Sequence, residues 1–183
     1  MIVTVAALRT ELLFAPRPRL RVGAGAQAGV QLRAWLEAHP PGKALVIGFC
    51  GATRASLGAG TVLLAEKILC QGAEIPLDRA LVARAREALP DAVAGAIATV
   101  AGPADPVEKA RLGSEALAVD MESACLGREL VRQGIPFLIV RIVLDELWED
   151  VSEFPIRWAG RALACSRSLG HAAAALGPVL EGA

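Results

Sequence analysis

The run Phe137-Leu-Ile-Val-Arg-Ile-Val-Leu144 constrains this chain more than any other segment. It is apolar at every position but one, whereas a strand with one wet face would alternate apolar and polar residues. A strand covered on both faces belongs inside an α/β sheet with helices on either side. Asp145 ends the run, and Arg141 is its single interior charge. A period of two places positions 141 and 145 on one face of the strand. The two side chains read either as a buried pair or as part of a site. A buried pair adds little net stability and costs desolvation, so a site is expected.

The rest of the chain supplies partners for such a strand. Residues 1–7 and 20–22 read as short strands, and residues 26–38 as a helix carrying Val30, Leu32, Trp35 and Leu36 at helical spacing, stopped by Pro40-Pro41. Residues 43–49 form a β-rich run leading into the turn Gly48-Phe-Cys-Gly51. Strands are expected over 61–68, 92–100 and 116–120, and helices over 77–89, 122–133 and 155–176. Residues 1–183 show no internal repeat and no linker, so a single α/β domain in three layers, a central mixed β-sheet flanked by helices, is expected.

Charge narrows the function. Lys+Arg and Asp+Glu both total 19, so the net charge is zero, which leaves no basic face for nucleic acid and no polybasic membrane anchor. No apolar run approaches the length of about 20 residues that a spanning helix needs. Arg9 and Glu11 interrupt the apolar start too early for a signal peptide, and four scattered cysteines suit reduced thiols, so a cytoplasmic protein is expected. With two histidines and no paired cysteines, no metal site is expected.

Three acidic clusters fall where strands end, the usual place for a ligand crevice in an open α/β sheet. They are Glu11, Asp120-Met121-Glu122, and Asp145 with Glu146, Glu149 and Asp150 behind it. Each also has a bland reading, since acids near helix starts often serve as caps.

At these positions the sequence resembles a known family. Ala118-Val-Asp-Met-Glu-Ser-Ala124 resembles the signature of the superfamily that holds purine nucleoside phosphorylases and 5′-methylthioadenosine/S-adenosylhomocysteine nucleosidases. Pro136 through Asp145 is similar to its arginine-containing strand, Val5 through Glu11 to the nucleosidases' opening strand and acidic turn, and Val22-Gly-Ala-Gly25 and Gly48-Phe-Cys-Gly-Ala52 to its two glycine turns. The stretch from Pro106-Val-Glu-Lys109 through Ser123 looks closest to the hopanoid-associated phosphorylase branch.

The resemblance implies a phosphorylase/hydrolase-like fold and cleavage of the N-glycosidic bond of a purine-like nucleoside, without metal or organic cofactor, by a homodimer or higher homo-oligomer. It implies that Glu122 binds the ribose hydroxyls, Met121 packs on the sugar, Asp145 assists departure of the base, and Glu11 positions the attacking water. Gly51, Phe49 and Arg141 are expected in the substrate site. Phe49 is weighed against a core role, and Trp148 is a second aromatic available to wall a pocket. Glu11 stands where the phosphorylases carry a phosphate-binding arginine, so water is the expected nucleophile. Phosphate as co-substrate, or a reduced relative that binds nucleosides without cleaving them, are the alternatives.

The chain also departs from the pattern. It is shorter than familiar members, with segments missing after Glu11 and after Lys67. Residues 101–106 hold no aromatic to stack on a base, and Leu144 replaces the usual Ser before Asp145.

Overall fold

Residues 1–150 and 155–182 are described by a computed structural model, with side chains of the last helix described from Trp158. The strands are β1 (Ile2–Ala6), β2 (Arg19–Arg21), β3 (Lys43–Ala52), β4 (Val62–Cys70), β5 (Ala73–Pro76), β6 (Val93–Thr99), β7 (Ala118–Asp120) and β8 (Phe137–Asp145). The helices are α1 (Gln27–Ala38), α2 (Arg79–Ala88), α3 (Pro106–Leu112), α4 (Ser123–Arg132) and α5 (Pro155–Glu181).

All nine residues of β8 are buried, as the apolar run requires. It lies between β3, which it pairs in parallel, and β4, which it pairs antiparallel. From β4 the ladder passes to β6, then β7, and back to β3. Five strands thus close into a ring, with β1 and β2 extending the sheet beyond β3 and β5 beyond β4. The sheet is mixed, and helices flank it, α1 packing on α4 and α2 on α5. The fold class read from the sequence is the one observed.

Two elements were not anticipated. β5 folds back on β4 through Gln71-Gly72, whose φ values are +51° and +77°. Two positive φ values in succession make the tight two-residue hairpin that matches strand twist, and Gln-Gly is a weaker signal for it than Asn-Gly. α3 starts at Asp105-Pro106: the Asp105 carboxylate accepts the Glu108 N–H at 2.8 Å, and Pro106 occupies a first-turn position whose N–H needs no partner. In α1 the buried stripe runs through Ala28, Leu32 and Leu36, while Val30 stands half exposed. At the two places where the resemblance implies shortening, the chain makes a turn after Glu11 and the β4–β5 hairpin after Lys67.

Arg141, at the centre of β8, is 1% exposed. The alternative of a buried pair with Asp145 is not what forms. Its Nε sits 2.8 Å from Asp120 Oδ2, and its Nε and Nη2 donate to Ser123 Oγ at 3.2 and 2.9 Å. Asp120 in turn accepts from Thr99 Oγ1 at 2.7 Å and from the Ser123 N–H at 3.2 Å. The geometric reason for the change of partner lies on β3. Gly48 faces Arg141 across the ladder, and a Cβ there would stand 1.9 Å from Nη1. The guanidinium therefore lies over Gly48, toward the β7–α4 junction and away from the strand's end.

Breaking a buried pair by removing one partner leaves the other charge uncompensated, which typically costs 3–5 kcal/mol. Arg141→Met is therefore expected to lower unfolding stability by roughly 3–5 kcal/mol, as measured by urea denaturation. A loss below about 1 kcal/mol, the scale of an exposed pair, would refute the assigned role of the pair.

Candidate active site

At the carboxy-terminal ends of β3 and β8, beside β7 and the turn after β1, lies a cavity of about 200 Å³. Glu11, Phe49, Gly51, Met121, Glu122 and Asp145 all line it. They arrive on four separate pieces of structure, the turn after β1, β3, the β7–α4 junction and β8, so the convergence is a product of the fold.

Glu11 sits in the turn that follows β1 and is 3% exposed. Its two carboxylate oxygens accept the Leu8 N–H at 2.7 Å and the Phe49 N–H at 2.8 Å. Burial pushes its pKa from 4.5 up to about 7, against the pull of Arg141 and of those two amides. Each oxygen keeps a lone pair, so the carboxylate is aimed but not saturated.

Glu122 occupies the N-cap position of α4, yet its side chain makes no cap. One carboxylate oxygen accepts the Gly25 N–H at 2.8 Å, tying α4 to the first glycine turn, where Gly25 has φ +72°. Asp120 instead takes the helix-start amide of Ser123. Both acids reach the cavity lining, but Asp120 is taken up by Arg141, Thr99 and Ser123, whereas Glu122 accepts from the Gly25 N–H.

Asp145 is 5% exposed and pairs with Lys109, a residue of α3 that is itself 1% exposed. The Lys109 ammonium also donates to the carbonyls of Glu146 and Glu149, at 3.1 and 2.6 Å. Burial raises the Asp145 pKa above its ordinary 3.8, with Lys109 opposing. Reading the sequence residue by residue had not singled out Lys109. The Asp-Pro-x-Glu cap at 105–108 signals a helix start there, but not that position 109 faces inward.

The remaining expectations divide. Phe49 is half buried, packing on the core with part of its surface on the cavity. Arg141 does not line the cavity but lies beneath it, and Trp148 is 71% exposed and away from the lining. Of the aromatic-free stretch 101–106, Gly102, Pro103 and Ala104 form one wall. Among the described residues no three His, Cys, Asp or Glu side chains gather as a metal's ligands would. No described helix is long and apolar enough to cross a membrane.

Comparisons with known proteins agree with this architecture. The chain resembles the S-adenosylhomocysteine nucleosidase of Streptococcus pyogenes, solved with 5-methylthiotubericidin, with a TM-score of 0.82 at 18% identity, covering 96% of this chain and 94% of that one. It resembles the futalosine hydrolase of Helicobacter pylori equally, at 0.82 and 18%, over 96% of each chain. A putative 5′-methylthioadenosine/S-adenosylhomocysteine nucleosidase of Borrelia burgdorferi, bound to adenine, superposes at 0.81 with 15% identity, covering 96% of this chain and 98% of that one. At such identities the likeness speaks for the fold. No curated protein matches by sequence. The sequence profile of the phosphorylase superfamily matches residues 4–172. The chain belongs to the phosphorylase superfamily.

Proposed function

We propose that the protein hydrolyses the N-glycosidic bond of a purine-like nucleoside. The observation that carries this reading is the presence of Glu11, Glu122 and Asp145, far apart in sequence, on one cavity of about 200 Å³. Glu122 accepts hydrogen bonds from the two adjacent ribose hydroxyls, an arrangement suited to a carboxylate. Met121, beside it, packs on the sugar. Phe49, the aromatic on the lining, takes the stacking role that residues 101–106 lack.

In the reaction, the bond from C1′ to the base nitrogen breaks and its electron pair leaves with the base. The base takes a proton from Asp145, so it departs neutral. Positive charge grows on the sugar and is stabilised by the surrounding carboxylates. Water held by Glu11 forms the new bond to C1′ and gives its proton to Glu11. Exchange with solvent then returns a proton to Asp145 and removes one from Glu11.

Water is favoured over phosphate by the charges on the cavity. Among the described lining residues the cation is Lys109, already held by Asp145 and two carbonyls. A phosphate would meet carboxylates without a free arginine to bind it. The ligands of the superposed nucleosidases, adenine among them, make adenine nucleosides the first class to try.

Base release from adenosine, methylthioadenosine, futalosine and inosine is expected without added phosphate, and strict phosphate dependence would sink the hydrolytic reading. Asp145→Asn should lower turnover by about two orders of magnitude or more, the scale of a general acid, with near-normal turnover refuting the role. The protonation of Glu11 supplies an independent check. Folded Glu11 keeps its proton up to about pH 7, whereas the unfolded chain releases it near its ordinary 4.5. The stability it contributes is therefore full below about pH 4.5 and lost as pH rises through 7. Comparison of unfolding curves across that window should show the loss in the native protein and not in Glu11→Gln. Identical pH dependence in the two would mean that Glu11 does not titrate there.

A further inference from the structure

A lysine with 1% of its surface exposed needs every one of its donors matched, because a buried charge left short of partners is costly. Lys109 meets that demand with three acceptors: Asp145 Oδ2 and the carbonyls of Glu146 and Glu149. Its place is fixed from two directions. Asp105 caps α3 and sets the helix's first turn. On β3, a shift in register at Cys50/Gly51 brings Gly51 opposite Asp145. A Cβ at Gly51 would stand 2.8 Å from Asp145 Oδ2 and 2.9 Å from Lys109 Cε. The pair thus occupies the space directly against a strand that had to be left bare.

We propose that Lys109 is the positioning residue of the leaving-group step: it fixes the Asp145 carboxyl through Oδ2, leaves Oδ1 for the base, and stabilises the carboxylate formed when Asp145 gives up its proton. The proposal rests on the hydrolytic reading above and extends it to a residue on the cavity's lining whose ammonium is turned to Asp145 and two carbonyls. Burial alone makes Asp145 hold its proton too well, and a donor that will not release its proton is a poor acid. The ammonium corrects this. As the proton passes from Asp145 to the base nitrogen, the charge left on Asp145 falls beside Lys109, with no solvent needed to reorganise.

Other charges around the pair do not take over the task. Glu149, from the loop after β8, acts on Asp145 in the opposite sense and is itself held by Arg161 of α5 at 2.6 Å. Arg161 otherwise donates to the Leu144 carbonyl. The Glu146 side chain turns away to the Ala59 N–H. Cys50 of β3 is buried, with its thiol pushed up by desolvation. Glu11 and Glu122 lie on the cavity's other walls, and Arg141 serves Asp120 below.

The test uses Lys109→Gln, which keeps a donor for the carbonyls but removes the charge, and Lys109→Met, which removes both. Turnover of the best substrate and the Asp145 carboxyl ¹³C titration are followed in each. Both variants are expected to lose about 10²-fold in kcat, the scale of one preorganised electrostatic group. KM should hold within a few-fold, and the Asp145 titration should move to higher pH. Turnover within two-fold of native, or an unmoved titration in a folded variant, would overturn the proposal. On the native protein, the Lys109 Nζ resonance should shift at the pH where Asp145 titrates. A Lys109 nitrogen indifferent to that step overturns the proposal without any variant. If the native enzyme releases no base from any nucleoside, the hydrolytic reading fails. If it does and Asp145→Asn is unimpaired, the acid role fails. Neither result mimics a failure at Lys109.

Discussion

The ion pair between Arg141 and Asp120 is the constraint to which the rest of the site conforms. A guanidinium at the centre of a strand buried on both faces has no access to water, so the neighbouring elements must satisfy it. β3 yields space by carrying Gly48, α4 opens with Ser123 as an acceptor, and β7 ends in Asp120 as the counter-charge. These demands fix the β7–α4 junction, and with it the direction in which Met121 and Glu122 leave the strand. A cavity lined by those two residues is a consequence of how one buried arginine is accommodated.

The same arginine reaches Glu11 by its field. Glu11 loses most of its hydration to burial, and Arg141 is the largest influence that draws its pKa back down. Without a cation below, a buried carboxylate would stay protonated and could not take a proton from water. With an arginine in direct contact it would be too weak a base. The arginine lies under the floor, in contact with Asp120, and acts on Glu11 without a direct ion pair. That arrangement holds Glu11 at about 7, which suits the general-base role proposed for it.

Much of this was legible in the chain. The apolar run 137–144 announced a central strand, and the acids at strand ends announced the crevice. Of the residues expected at the substrate, all but Arg141 line the cavity. That Arg141 lies off the lining has a physical origin: alternation along a strand says which face a side chain takes but not which way a long side chain leans. The direction was decided by Gly48 on a neighbouring strand, some ninety residues earlier, a contact no local pattern contains. Lys109 escaped for a related reason. A lysine next to a helix start reads as solvated surface, and only the closure of β3, β8 and α3 around it makes it interior.

In the proposed reaction Asp145 and Glu11 give one kind of side chain two roles in one cavity. Both are carboxylic acids, both are nearly sealed from water, and burial raises the pKa of each. They differ in how they meet a cation. Asp145 touches its lysine, so the anion is stabilised at once when a proton leaves, which suits a donor. Glu11 is held by two backbone amides and has its arginine at one remove, so its oxygens keep room for water. The proposed acid and base thus differ in the distance to their counter-charge, and a glycine on β3 leaves the room in each case, Gly51 for one and Gly48 for the other. The glycines that read as a turn in the sequence lie within β3, and their bare backbone leaves room for Arg141 under the cavity and for Lys109 on its wall.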